Sequence, residues 1–304
     1  MNGLADHLKR TYGDIKRMDG PVVGYLGMTI DTSKSGETRI TMQGYVDDLL
    51  AGCGVEGAAA TPATESLFEV RENGVKVTEA ERHEFHRQVA KLLYLAKRVR
   101  PECLTTVSFL ATRVTRCDSD DLGKLRRLLR YVRSTRERGI VLRPGVKGMG
   151  VRAYIDAAYG VHVDGKSHSG SAVTIGDSAV VHAKSVKQQN VTKSSTEAEL
   201  VALSDSANQA FHIRNFIIAQ GHSIGPVVLY QDNLSCMALV EKGRSSSERT
   251  RHISIRYYWV KERVESGEAV VEHLRTEKMF ANILTKPLQG SQFQEERRGL
   301  TNWE

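Results

Sequence analysis

The chain has 304 residues, 40 % hydrophobic and 26 % charged with only 6 prolines, which suits about two domains of roughly 100–200 residues and excludes disordered, collagen-like and coiled-coil chains. Four scattered cysteines (Cys53, Cys103, Cys117, Cys236) form no C-x-x-C pair, so a disulfide scaffold or structural zinc site is excluded and a reducing compartment expected. The formal charge of +7 is uneven: residues 87–143 hold 15 basic against 5 acidic side chains, the remainder 28 against 31. Such a block is either a polyanion-binding surface or a solvated helical face, and charge alone leaves both open. No run approaches the roughly 18 apolar residues of a membrane span, and residues 1–10 lack a signal peptide's apolar centre. An intracellular protein of cytoplasm or nucleus, with no membrane partner, is expected.

An amphipathic stretch (Leu4, Leu8, Tyr12) opens the chain. Residues 22–30 read as one strand, 33–36 as a turn and 39–42 as the returning strand of a hairpin. A short helix over 45–50 is closed by the glycines at 52, 54 and 57, and 63–78 is a polar connector with a small hairpin around Asn73-Gly74. Apolar residues recur at helical spacing from 79 to 99 (Phe85, Val89, Leu92, Leu93, Leu95), and Pro101 stops that helix. Helices over 102–115 and 119–136 follow, the second capped by Ser119 or Asp120 and ended by Gly139. Residues 140–143 are strand-like, and 144–150, with three glycines, form the best linker. Beyond it the pattern alternates: strands over 151–155, 169–175 and 179–183, a helix over 195–219, a strand over 227–230, a short helix from 234, a helix over 253–264, a strand over 268–274 and a last helix over 277–284. That order resembles an RNase H-like fold.

Phosphodiester hydrolysis by two Mg²⁺ ions needs carboxylates from different elements, converging so that the metals sit about 3.5–4 Å apart. Asp156 ends the strand 151–155 and Asp232 closes 227–230. Taken singly, each reads as a turn or N-cap acid; at the ends of neighbouring strands they are harder to dismiss. Ser194 and Glu197 form a capping box that accounts for Glu197. Glu199 lacks that account and lies beside the Leu200/Leu203/Ala207 face that must cover the sheet.

The runs Ala153-Tyr154-Ile155-Asp156-Ala157-Ala158-Tyr159, Ser167-x-Ser169-Gly170, Ser194-Ser195-Thr196-Glu197-Ala198-Glu199, Gln231-Asp232-Asn233, Arg251-His252-Ile253-x-Ile255-Arg256-Tyr257 and Ala281-Asn282-Ile283-Leu284-Thr285-Lys286-Pro287-Leu288 resemble the RNase H domain of Copia-type (Pseudoviridae) retrotransposon polyproteins. Upstream, Tyr25-Leu26-Gly27-Met28-x-Ile30, Thr61-Pro62, Leu92-Leu93-Tyr94-Leu95-Ala96-x-x-x-Arg100-Pro101 and Leu128-Leu129-Arg130-Tyr131-Val132 resemble their thumb and connection region. The resemblance implies an α/β chain: a mostly helical thumb/connection-like module with a small β-hairpin over 1–145, an RNase H-like five-stranded mixed sheet with flanking helices over 146–288, and a C-terminal tail over 289–304. It implies a ribonuclease that cuts the RNA strand of RNA/DNA hybrids, with Asp156, Glu199 and Asp232 as ligands of two Mg²⁺ ions, Mn²⁺ substituting. The fourth catalytic position departs from the family's Ala-Asp-Ile-Leu-Thr-Lys: Asn282 replaces an anionic ligand by a neutral amide, and reduced activity is expected. Arg126, Arg127, Arg130 and Arg133 would line the hybrid track, and other parts of a polyprotein would be partners. The alternative is a catalytically degenerate nucleic-acid-binding remnant.

Other signals carry less. Tyr45-Val46-Asp47-Asp48 spells the Y-x-D-D of reverse transcriptases, yet it follows the Tyr-Leu-Gly-Met strand where the family's motif precedes it, so Asp47 and Asp48 read as helix-start acids and no polymerase is expected. Asp232 and Glu268 have an integrase spacing, but Glu268 opens a strand. His83 and His86 read as a polar helix face, and His162, Asp164 and His168 as a solvated turn. His252 reads as packing or capping, and Tyr257, Tyr258 and Trp259 as core and rim of their helix.

Overall fold

The computed structural model of the protein describes residues 2–145, 148–242 and 251–304. Its N-terminal half sets α1 (Asn2–Tyr12), α2 (Gln43–Leu50), α3 (Glu79–Ala96), α4 (Leu104–Ala111) and α5 (Ser119–Ser134) beside a four-stranded antiparallel sheet of β1 (Val22–Tyr25), β2 (Met28–Asp31), β3 (Thr38–Thr41) and β4 (Ile140–Leu142). The expected single strand over 22–30 is broken, because Leu26 and Gly27 both take positive φ (51° and 77°) and turn the chain back on itself, so that Tyr25 pairs with Met28. No hairpin forms at Asn73-Gly74: Lys76 bridges to Asp118 instead. Asp118, one residue before the expected caps, closes a capping box with Asp121 at the start of α5.

The second sheet runs β7-β6-β5-β8-β9. β5 (Val151–Ala158), β6 (His168–Ile175) and β7 (Val180–Lys187) form the expected antiparallel meander, while β8 (Val227–Gln231) and β9 (Ala269–His273) join parallel to β5. α6 (Ser195–Ala219), α7 (Leu234–Lys242) and α8 (Arg251–Glu265) cover one face, where Ile155, Val173, Leu200, Leu203, Leu229 and Val260 bury their side chains. The other face is closed by the N-terminal helices and by residues 290–301: Ala172 and Val180 share a core with Leu92, Leu110, Leu128 and Phe293. The side chains of residues 251–255 and of Tyr257 lie outside the described residues, so the expectation for His252 is not followed further.

The helix expected over 277–284 is absent. Two 3-10 turns, Thr276–Lys278 and Phe280–Leu284, replace it. The Asn282 amide nitrogen donates to the carbonyls of Thr276 (3.0 Å) and Met279 (2.6 Å), capturing acceptors that a continuing α-helix would use. Residues 290–301, given no element from sequence, form α9 (Gly290–Thr301), which buries Phe293, Glu296, Leu300 and Thr301.

Deep in the N-terminal half, the fully buried Arg100 donates to Glu102 at 2.7 Å and to Thr135. Tyr131 donates to the same Glu102 oxygen at 3.2 Å. The Arg100-Pro101 and Tyr131 signals of the sequence thus meet at Glu102 Oε1, which accepts from both, while Glu102 Oε2 is buried without a partner.

Candidate metal centre

β5 and β8 lie parallel with Tyr154 opposite Tyr230. Two residues on, that register puts Asp156 and Asp232 side by side at the carboxyl ends of adjacent strands. α6 crosses this face, and its Glu199 is buried beside them. One oxygen from each of Asp156, Glu199 and Asp232 lies within 4.8 Å of the others, the one cluster of this kind among the described residues. Asp156 is 1 % exposed and Glu199 5 %.

Each carboxylate is oriented by neighbours. Glu199 accepts from the Gln231 amide at 3.3 Å and from the Ala157 backbone N–H. The Gln231 side-chain oxygen Oε1 in turn accepts from the backbone N–H groups of Asp232 (2.8 Å) and Asn233 (3.0 Å). Asn233, not Asp232, caps α7 by accepting from Cys236 N–H at 2.9 Å, so the N-cap account of Asp232 falls away. Thr276 donates to Asp232 at 2.9 Å, and Thr285 donates to Asp156. Glu197 explains itself locally: its N–H donates to Ser194 Oγ, and its carboxylate accepts from Lys193 N–H at 2.8 Å.

Burial and like charge act together here. Burial pushes the Asp156 carboxyl up, and Asp232 adds to this; Lys286 and Thr285 pull it down. Glu199 is likewise raised by burial, then by Asp156 and Asp232. Three crowded oxygen donors with an uncompensated negative charge suit a hard divalent cation such as Mg²⁺ or Mn²⁺.

Asn282 is buried near this cluster with its amide nitrogen anchored as described. Its Oδ1 accepts from Lys286 Nζ at 2.7 Å, and the same ammonium lies 3.3 Å from Asp156 Oδ1. Glu296 of α9 accepts from Ile283 N–H at 2.9 Å and holds the 3-10 segment from behind. Gly170, opposite Asp156 on β6, makes room for the segment: a Cβ there would stand 2.7 Å from Thr285 Cγ2 and 2.8 Å from Leu284 Cβ. Lys286, Thr285, Gln231 and Glu296 were given no role from sequence. The first two sit in a motif that was read for its aspartate position alone, although Lys286 stands four residues from Asn282, a spacing that brings side chains together.

Elsewhere, Arg127 donates to Thr61 Oγ1 at 2.9 Å, Arg130 to Glu56 O at 3.0 Å and Arg133 to Gly57 O at 3.2 Å, so that α5 tethers the loop before Pro62. Arg126 and Arg130 are exposed. Asp47 and Asp48 are exposed on α2, whose Val46 and Leu49 are buried, and His83 and His86 are exposed on α3. The solvated turn expected at 162–168 is corrected: His162 and His168 are buried, hydrogen-bonded to each other at 3.0 Å and packed on Phe68. Glu268 pairs with Arg263, away from the cluster. Trp259 packs on Phe211, while Tyr258 is exposed.

An antiparallel meander extended by two parallel strands, with an acidic cluster at the carboxyl ends of its central pair, defines an RNase H-like fold. No family model matches the chain. Its homologues are the retrovirus-related Pol polyproteins of Copia-type transposons: it is 31 % identical over 274 residues to that of transposon RE1 and 30 % over 260 residues to that of RE2, both from Arabidopsis thaliana. These alignments cover 89 % and 84 % of this chain but 18 % and 17 % of the relatives, so the chain spans less than a fifth of their length. Among solved structures it is similar to LC11-RNase H1 isolated from compost (16 % identity, TM-score 0.36, 44 % of this chain and 91 % of that one). Among the described residues no helix is long and apolar enough to cross a membrane.

Proposed function

We propose that this chain is the part of a transposon polyprotein that cuts the RNA strand of RNA/DNA hybrids, using a divalent cation held by Asp156, Glu199 and Asp232. The observation that carries the reading is the convergence of these three oxygens within 4.8 Å at the carboxyl ends of β5 and β8. The bound cation would polarise a phosphoryl oxygen and supply hydroxide at neutral pH. The chain's own residues aim the carboxylates: Gln231 holds Glu199 and the Asp232 backbone, and Thr276 fixes the Asp232 side chain.

Arg126, Arg127, Arg130 and Arg133 are proposed to contact phosphates of the hybrid with the guanidinium donors that the 56–61 loop does not use. Such contacts position without reading sequence, so cleavage is expected to be sequence-independent and binding to weaken steeply with salt. A second reading, a remnant that binds nucleic acid without cutting it, is favoured by one observation: at the fourth position a neutral amide is bonded to Lys286. A 5′-labelled RNA/DNA hybrid incubated with Mg²⁺ or Mn²⁺ separates the two. RNA cleavage that Asp156→Asn abolishes while hybrid binding persists supports the nuclease; binding without cleavage in either metal supports the remnant.

A further inference from the structure

We propose that the Lys286 ammonium replaces one of two metal ions, so that this centre binds a single divalent cation. The inference rests on the reading of Asp156, Glu199 and Asp232 as metal ligands, and it concerns what stands between Asp156 and Asn282.

Asp156 has two sets of polar neighbours. Oxygens of Glu199 and Asp232 lie with one of its own within 4.8 Å. Lys286 Nζ lies 3.3 Å from Asp156 Oδ1 and 2.7 Å from Asn282 Oδ1. The two oxygens that would hold a cation between Asp156 and Asn282 are therefore already shared by an ammonium. Asn282 cannot turn away to release it, because its amide nitrogen is tied to the carbonyls of Thr276 and Met279 and faces Glu296 Oε1 at 3.5 Å. That anchoring also fixes which end of the amide meets the cation: the donor end faces acceptors and the oxygen faces Lys286.

Charge balance points the same way. With an aspartate at the fourth position, four carboxylates would face two divalent ions and the motif's lysine. With Asn282 in the fourth place there are three, and one divalent ion plus one ammonium neutralises them. A second divalent ion added beside Lys286 would leave a net positive, largely buried site, which is costly. Lys286 is 40 % exposed at its side chain and follows by two residues the 3-10 segment that Glu296 and Gly170 seat against β6, so the fold brings the ammonium to this place.

The test counts ions on the full chain. Mn²⁺ is titrated into the metal-free protein and free Mn²⁺ is read by electron paramagnetic resonance, with near-UV circular dichroism confirming the fold of each variant. One ion per chain is expected for the parent, two of unequal affinity for Lys286→Ala and for Lys286→Met, and two of similar affinity for Asn282→Asp combined with Lys286→Ala. Two ions of comparable affinity in the parent, or a single ion in both folded Lys286 variants, overturns the role of Lys286 and leaves the metal reading standing. No Mn²⁺ bound by any variant overturns both.

Discussion

The molecule buries two clusters of charge in opposite ways. Arg100, Glu102 and Tyr131 meet donor to acceptor inside the N-terminal half, opposite charges 2.7 Å apart with no access to water. Asp156, Glu199 and Asp232 bring like charges together at the sheet end, where Lys286 is the one cation paired with them among the described residues. A pair of opposite sign is neutral as folded, even though Glu102 Oε2 has no hydrogen-bond partner, and reads as architecture. A convergence of one sign costs stability until a cation arrives, and it is this imbalance that marks a functional site.

The comparison breaks most readily at Glu102. Glu102→Ala leaves the Arg100 guanidinium buried with only neutral Thr135 acceptors, and a loss of about 3–5 kcal/mol is expected in denaturant unfolding, as for a buried pair deprived of one partner. A loss under about 1 kcal/mol would mean that the network is a bystander.

The sheet-end cluster makes the opposite prediction with pH. Asp156, Glu199 and Glu296 all have folded values above their unfolded ones, Glu296 at about 7 through burial, with Asp156 adding to it. The folded state then holds the proton more tightly, so stability is fully present below the unfolded values near pH 4 and is lost as pH rises through the folded ones. Glu296 alone contributes a loss of up to about 3 kcal/mol between pH 4.5 and 7. Melting of the metal-free protein across pH 4.5–8 checks this: Glu296→Gln flattens the slope up to pH 7, and Mg²⁺ flattens the part that remains. The buried His162 and His168, whose values burial lowers to about 4 and about 3, add a slope of opposite sign below pH 6.5, so the reading is the difference between parent and variant: equal slopes in the parent and Glu296→Gln would contradict the raised Glu296 value.

Gly170 separates packing from charge. In Gly170→Ala the new methyl group meets Thr285 and Leu284 within 2.8 Å, and overpacking of this kind costs about 1–3 kcal/mol. The 3-10 segment that leads into Lys286 is pushed from β6, so Mn²⁺ stoichiometry shifts along with stability. A stability loss with unchanged ion binding would place the segment's fit outside the site.

What the sequence disclosed follows the range of the interactions. Asp156 and Asp232 were legible because apolar alternation stops at them, and a parallel register does the rest. Glu199 stood out because Glu197 had a local explanation and Glu199 had none. The turn at Leu26-Gly27 was hidden, since a leucine at φ 51° leaves no compositional trace. α9 was hidden too, because Phe293 and Leu300 are its two large apolar anchors, seven residues apart among charged neighbours. The role of Lys286 depends on a 3-10 segment whose geometry is set by contacts to α9, which the sequence leaves without an element, and to β6, far away in the chain. The buried His162–His168 pair was misread for the same reason: Phe68, which covers it, comes from the other half of the molecule.

The sharpest form of the comparison lies within one helical turn. Glu197 and Glu199 are two residues apart at the start of α6, yet one faces its own backbone and the other the cluster. Glu197→Ala removes an acceptor for Lys193 N–H and is expected to cost about 0.5–1 kcal/mol, the scale of a lost cap, with no change in the stabilisation that Mg²⁺ confers. Glu199→Gln retains the shape and an acceptor for the Ala157 N–H while removing a crowded charge. It should raise the stability of the metal-free protein, more so as pH increases, because the proton that the folded carboxyl holds is then no longer there to lose. The same change should suppress the Mg²⁺-induced shift in melting temperature, since one of three ligand charges is gone. Opposite signs of effect from neighbouring glutamates, read in one melting series with and without Mg²⁺, distinguish a carboxylate that builds the helix from one that the helix exists to place. If both variants lower stability and leave the Mg²⁺ response alike, the cluster's like charge is not what sets it apart.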